Sequence, residues 1–205
     1  MQHLIIVSHP NAKSFTLAVA RAYGEALEQL HQPVETHDLY RMGFDPLLPA
    51  AELTGPSTDT MVRNAQEAVR AADVVAFVYP LWWLAMPAML KGYVDRVFAR
   101  GFAYDMVNGV MHGLLAPKRA VMITLSGAPM SALIEGGDWD AVRTLQDRHI
   151  VRAAGLELVE HLHLDGIGPE LMSFAADDLL ERVRACARNS CRPSSDLHGF
   201  GAKQA

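Results

Sequence analysis

Apolar residues fall along this chain in two alternating rhythms. Short continuous runs occur at Leu4–Val7, Val74–Tyr79 and Ala120–Thr124, with mixed runs from Pro33 to Leu39 and from Leu156 to Leu164. Runs of this length are expected of strands buried on both faces of a parallel sheet. Between them the spacing switches to helical. Phe15, Val19, Ala22, Ala26 and Leu30 make one stripe of a helix from Ser14 to Leu30. Val62, Ala65, Val69 and Ala72 make the inward face of a second, with Ser57 to Asp59 available to cap it. A third starts at Pro87, a residue suited to a first helical turn, and runs to about Arg100 with Leu90, Val94, Val97 and Phe98 on one side. Two more are predicted from Asp138 to Ala154 and from Ser173 to Arg188. The segment from Tyr40 to Pro56 reads as an irregular excursion, and Gly101 to Pro117 as a long loop.

Strands alternating with helices predict an α/β fold: a doubly wound, five-stranded parallel sheet with helices on both faces. In the order 2-1-3-4-5, strands one and three flank the point where the winding reverses, and ligands bind outside the carboxyl ends of the strands there. The converging loops are 8–14, 80–86 and 125–137. One domain is expected over residues 1–188, followed by a loose tail from Asn189 to Ala205.

The chain has 205 residues, half of them apolar and a fifth charged, the balance of a soluble globular protein. A net charge of −5 with no basic cluster speaks against a nucleic-acid partner. No apolar run is long enough to span a membrane, and the first strand starts too early for a signal peptide. The two cysteines, Cys186 and Cys191, have neither disulfide-framework nor zinc-ligand spacing and no CxxC motif, so a reducing cytoplasm is the default.

Each loop offers different chemistry. The first ends at a helix N-terminus, an anion site helped by Ser14 and Thr16, with His9 and Lys13 beside it; Ser14 alone would also serve as a plain N-cap. It is neither a Walker loop nor a G-x-G-x-x-G turn. The second carries two adjacent indoles, Trp82 and Trp83, which expose apolar surface unless a flat group lies against them. The third, Thr124-Leu125-Ser126-Gly127, supplies N–H groups where Gly127 permits close approach. A phosphate site, a flat apolar face and a row of donors together suit a flavin.

Three blocks of residues carry a family likeness. Ser8-His9-Pro10-x-x-x-Ser14-Phe15, then Pro80-Leu81-Trp82-Trp83 with Met86-Pro87-Ala88-Met89-Leu90-Lys91-Gly92, then Arg96-Val97-Phe98 with Gly101-Phe102-Ala103-Tyr104, resemble the flavodoxin-like NAD(P)H:quinone oxidoreductases. The resemblance implies FAD or FMN held non-covalently, NAD(P)H as co-substrate, a quinone or related acceptor, and a homodimer. It places His9, Ser14, Phe15 and Thr16 at the flavin phosphates and ribityl chain. Pro80, Leu81, Trp82, Trp83 and Leu84 would lie along the isoalloxazine, and Thr124, Ser126 and Gly127 near N1 and O2. Tyr104 and Met106 would reach the neighbouring subunit's pocket, with Met130 also close to a pocket. A Tyr and a His that some relatives place beside O2 have no counterpart in Ala128–Ser131 or Ile134–Asp138.

The reaction implied is hydride transfer to the flavin, departure of the oxidised nucleotide, and two-electron reduction of the acceptor in its place. No side chain is assigned as an acid or base. Other readings are a flavodoxin-type electron carrier, a flavin-binding ancillary subunit of a membrane transporter, and a hydrolase using Ser126, which the absence of G-x-S-x-G disfavours. His161 and His163 alternate along the fifth strand and read as surface residues, and Glu157 and Glu160 as a solvated face.

Overall fold

In a computed structural model, which describes residues 1–192, the apolar runs pair into one parallel sheet. In chain order the elements are β1 (His3–Val7), α1 (Phe15–Gln29), β2 (Val34–Asp38), α2 (Thr60–Ala71), β3 (Val74–Pro80), α3 (Ala88–Val97), β4 (Tyr104–Val107), β5 (Val110–Gly113), β6 (Arg119–Leu125), α4 (Met130–Glu135), α5 (Asp138–Arg143), β7 (Glu157–Leu164) and α6 (Ser173–Ser190). The five-stranded sheet runs β2-β1-β3-β6-β7. Leaving out the separate β4–β5 hairpin, this is the order 2-1-3-4-5. The tail from residue 193 onward lies outside the described residues.

Side chains alternate across the sheet, so each central strand feeds two cores. Leu4, Ile6, Val75, Phe77, Tyr79 and Met122 pack under α2, α3 and the segment after α5. Ile5, Val7, Ala76, Val78, Val121 and Ile123 pack under α1 and α6. The register β1–β3–β6 brings Val7, Val78 and Ile123 level, which sets the first three strand exits side by side. Among the described residues no helix is long and apolar enough to cross a membrane.

Several expectations change in detail. The loop from Gly101 to Pro117 contains the β4–β5 hairpin, because Asn108 (φ 53°) and Gly109 (φ 80°) make the left-handed pair that a two-residue hairpin turn requires. The helix expected from Asp138 to Ala154 is α5 followed by a π-helical segment, Thr144–Arg152, which turns the polar Gln146 and Asp147 inward. Leu30 lies past the end of α1 and is exposed. The excursion before α2 includes a 3-10 turn, Ala50–Leu53, and is fastened to α3. Arg96, buried on α3, binds Glu52 (2.7 Å), Asp59 (2.9 Å) and Asp45 O (2.6 Å). One turn earlier, a Cβ on Gly92 would stand 2.2 Å from Pro46 O, so only glycine lets the two segments meet.

Candidate active site

The first exit is a tight loop clamped from β2. Ser14 caps α1, its Oγ accepting from Leu17 N–H at 3.3 Å. Phe15 and Thr16 N–H keep no protein partner among the described residues, as the geometry of a helix start dictates. Arg41, paired with Asp38 at 2.9 Å, donates to Pro10 O at 2.9 Å and to His9 O. Nothing in the spacing of the sequence marks Arg41 for this task. Asn11 N–H lies 3.1 Å from His9 Nδ1, and the same ring nitrogen lies 3.3 Å from Asn11 O. Partial burial, followed by the nearby Arg41 charge, lowers the His9 pKa, and its ring lies 5.7 Å from that of Trp82. Beneath this loop Ser8 Oγ is buried with no partner among the described residues.

At the second exit β3 runs into a four-residue turn. Trp82 and Ala85 exchange N–H···O bonds of 3.1 Å, and Trp83 (φ 54°) and Leu84 (φ 60°) occupy its corners. Left-handed backbone is unfavourable for such side chains and persists only where the surroundings enforce it. Trp83 is fully exposed, whereas Leu84 is half-buried against the core below α3. Gln146 secures the turn from beneath: its Nε2 donates to Leu84 O at 3.3 Å and its Oε1 accepts from the Tyr79 hydroxyl. Leu81 N–H is taken by Leu125 O at 2.7 Å, and Trp82 N–H by Ala85 O. The donors this exit can offer a ligand are therefore Trp83 and Leu84 N–H, which have no partner among the described residues. Pro80 and Leu81 are buried and shape the strand end.

The third exit differs from expectation in two respects. Ser126 N–H donates to Leu164 O at 3.0 Å, so the backbone donor left here is Gly127 N–H. Thr124 is fully buried, and its hydroxyl faces two imidazoles. Its Oγ1 lies 2.9 Å from His161 Nε2 and 2.9 Å from His163 Nδ1. His161 Nδ1 is 2.7 Å from Asp147 Oδ1, and His163 Nε2 is 3.0 Å from Ser126 Oγ.

His161 and His163 are thus interior groups, with side-chain exposure of 5% for His161 and 7% for the whole of His163. Their alternation reads as a solvated face until the segment after α5 is seen to cover it. Trp139 adds its indole, 4.9 Å from the His161 ring and 5.0 Å from that of His163. Burial, then the neighbouring His161 charge, lowers the His163 pKa to about 4. Asp147, Trp139 and Gln146 sit in a stretch with no motif to announce them.

His9, Ser14, Phe15, Thr16, Trp82, Trp83, Leu84, Ser126 and Gly127 stand on the three adjoining exits. Met130 lines a groove of about 560 Å³ with Trp139, His161 and His163. Tyr104 and Met106 stand on the hairpin instead, and the groove that Tyr104 lines shares no residue with the exits. Cys186 is buried, which pushes its thiol pKa well up, and Cys191 is a second free thiol.

The sheet order and the three exits define a doubly wound α/β protein, an architecture in which ligands bind at the winding reversal. The Flavodoxin-like fold family matches residues 1–186. A Haemophilus influenzae protein named an uncharacterized NAD(P)H oxidoreductase is 35% identical over 164 residues, 78% of this chain and 81% of that protein. The rat NAD(P)H dehydrogenase [quinone] 1 is 29% identical over 188 residues, 80% of this chain and 69% of that one. A solved structure of the NAD(P)H:quinone oxidoreductase from Methanothermobacter marburgensis superposes with a TM-score of 0.84 at 29% identity, covering 94% of this chain and 98% of that chain. The chain belongs to the flavodoxin-like NAD(P)H:quinone oxidoreductase family and is an oxidoreductase.

Proposed function

We propose that the protein is a flavoprotein that reduces quinones or similar acceptors with NAD(P)H, in two alternating half-reactions, as a cytoplasmic homodimer. The observation that carries this reading is the turn Trp82–Ala85: its Trp83 and Leu84 N–H groups have no partner among the described residues, Leu81 N–H beside it binds Leu125 O of the third exit, and Trp82 lies 5.7 Å from His9 of the first. These donors match a flat heterocycle bearing acceptor atoms on its rim, and the orphaned Ser8 Oγ and free α1 N–H groups match the phosphate-bearing chain of the same molecule. Either FAD or FMN has these features.

Bound flavin supplies the hydride chemistry, and the protein supplies position and electrostatics. His9 and the α1 N-terminus would hold phosphate. Trp83 and Leu84 N–H would donate to the ring, and Gly127 N–H would favour negative charge on it, as an oxyanion donor does. In a homodimer Tyr104 and Met106 of each hairpin would complete the pocket of the other subunit, and Met130 would flank the acceptor.

Incubation with FAD or FMN, gel filtration and a visible spectrum test this directly. The protein should retain flavin, lose its colour on NAD(P)H, and regain it with a soluble quinone. Protein that retains neither flavin would rule the reading out.

A further inference from the structure

Reducing a quinone with NAD(P)H needs one proton beyond the hydride: NAD(P)H + quinone + H⁺ gives NAD(P)⁺ + hydroquinone. The structure holds five side chains in a single hydrogen-bonded file leading to the third exit. From the interior they are Asp147, His161, Thr124, His163 and Ser126, joined by contacts of 2.7, 2.9, 2.9 and 3.0 Å. Ser126 Oγ, half-buried at the exit, also donates to Ala128 O at 2.7 Å.

Donors and acceptors can be arranged along this file in two complete ways, which differ by one proton. In the first, the Ser126 hydroxyl points outward to Ala128 O and accepts from His163 Nε2–H. His163 Nδ1 then accepts from the Thr124 hydroxyl, which accepts from His161 Nε2–H. His161 must also donate through Nδ1 to the Asp147 carboxylate, so it is an imidazolium. In the second, every donor is reversed: Ser126 donates to His163, His163 to Thr124, Thr124 to a neutral His161, and His161 still donates to Asp147. Passage from the first to the second releases one proton from the Ser126 hydroxyl. The O–H bond at Ser126 breaks, one forms on the receiving oxygen, and each member of the file takes the proton of the next.

We propose that this file is a one-proton relay that supplies the acceptor oxygen through Ser126 as the acceptor is reduced. It rests on the reaction proposed above. The distribution of charge suits the task. The Asp147 carboxylate accepts from His161 Nδ1 in both arrangements, while burial keeps His163 neutral and able to pass a proton in either direction. Recharging comes from the groove along β7, which His161, His163 and Asp147 all line. The charged groups facing the file are Arg143, 3.4 Å from Asp147 on the α5 side, and Arg152, Asp165, Arg182 and Glu160, which also line the groove. Trp139 packs its indole against both imidazoles and holds them in line.

The test has two arms. In flavin-free protein, imidazole ¹⁵N NMR from pH 5 to 9 should show His161 and His163 responding together to the gain of one proton, and His163→Gln should displace the His161 midpoint. Independent titration, with His161 unmoved by His163→Gln, would overturn the relay. In flavin-loaded protein, His163→Gln and Ser126→Ala should slow acceptor reduction by about a hundredfold, the usual scale of general acid catalysis, and remove its pH dependence. Bleaching by NAD(P)H should change less than about threefold in His163→Gln, whose side chain stands behind the exit, since that half-reaction draws no proton from the file. Acceptor reduction at the wild-type rate in Ser126→Ala would also overturn the relay, while flavin binding and bleaching would still stand. Failure to bind flavin would instead sink the reaction, and the NMR arm would read the file by itself.

Discussion

The buried hydroxyl of Tyr79, next to last in β3, donates to Oε1 of Gln146 on the π-helical segment. The same glutamine holds Leu84 O, so one amide couples the sheet to the tryptophan turn. Tyr79→Phe leaves Gln146 Oε1 buried and unpaired, which costs about 1–3 kcal/mol. A fall in the denaturation midpoint should therefore accompany weaker flavin binding, because the turn loses its support. Weaker binding at unchanged stability would mean that the hydroxyl acts on the ligand directly.

Trp83 tests whether the left-handed turn serves the ligand. Its side chain is fully exposed and its φ of 54° suits glycine, so Trp83→Gly removes strain at almost no packing cost. Relief of the left-handed penalty is offset by the added freedom of the unfolded chain, and stability should stay level or rise by up to about 1 kcal/mol. Flavin affinity should fall, because the indole and the preset turn are both lost. Chemical denaturation of flavin-free protein, paired with a fluorescence titration, separates the two effects; equal loss in both would assign Trp83 to the fold.

His3 makes stability depend on pH without touching the site. It is fully buried in β1, with Nδ1 unpartnered among the described residues, and burial, then the amino terminus, brings its pKa from 6.5 down to about 4. The unfolded chain therefore takes up a proton below pH 6.5 that the folded chain refuses until about pH 4. Stability is fully present above 6.5 and declines through that window, with a slope approaching about 1.4 kcal/mol per pH unit from this residue. His3→Leu should reduce the slope of urea midpoints between pH 6.5 and 4 by this residue's share, leaving the part that buried His163 contributes over the same window. A wild-type slope in that variant would place the acid sensitivity elsewhere.

The order of the sheet was legible because its strands are short apolar runs separated by helical stripes, and that pattern has few solutions. The exits followed from the order, and the residues of the tryptophan turn from their unusual composition. Asn108-Gly109 was a readable hairpin signal between Val107 and Val110, outweighed by the length of the surrounding loop. The histidine file was not readable. Strand alternation shows that His161 and His163 share a face, but only the π-helical segment over them decides whether it meets water. Gly92 and Arg96 stand in the second and third family-like blocks for a structural reason, since they bind the excursion to α3, and a motif alone does not separate that role from contact with a ligand.

Gly127 separates the demands of the chain from those of a ligand. Its φ is not left-handed, and an added Cβ would lie 3.4 Å from Ile167 O, so the polypeptide itself has room for alanine. Gly127→Ala should leave flavin-free stability within about 0.5 kcal/mol of the parent, as exposed loop substitutions usually do. If flavin approaches this backbone closely, the methyl group displaces it, and affinity should fall about tenfold or more, a loss of about 1.4 kcal/mol. Gly127→Val should lower it further. Unchanged flavin content in both variants would remove the third exit from the binding site and leave Trp83 and Leu84 as the donors that hold the ring.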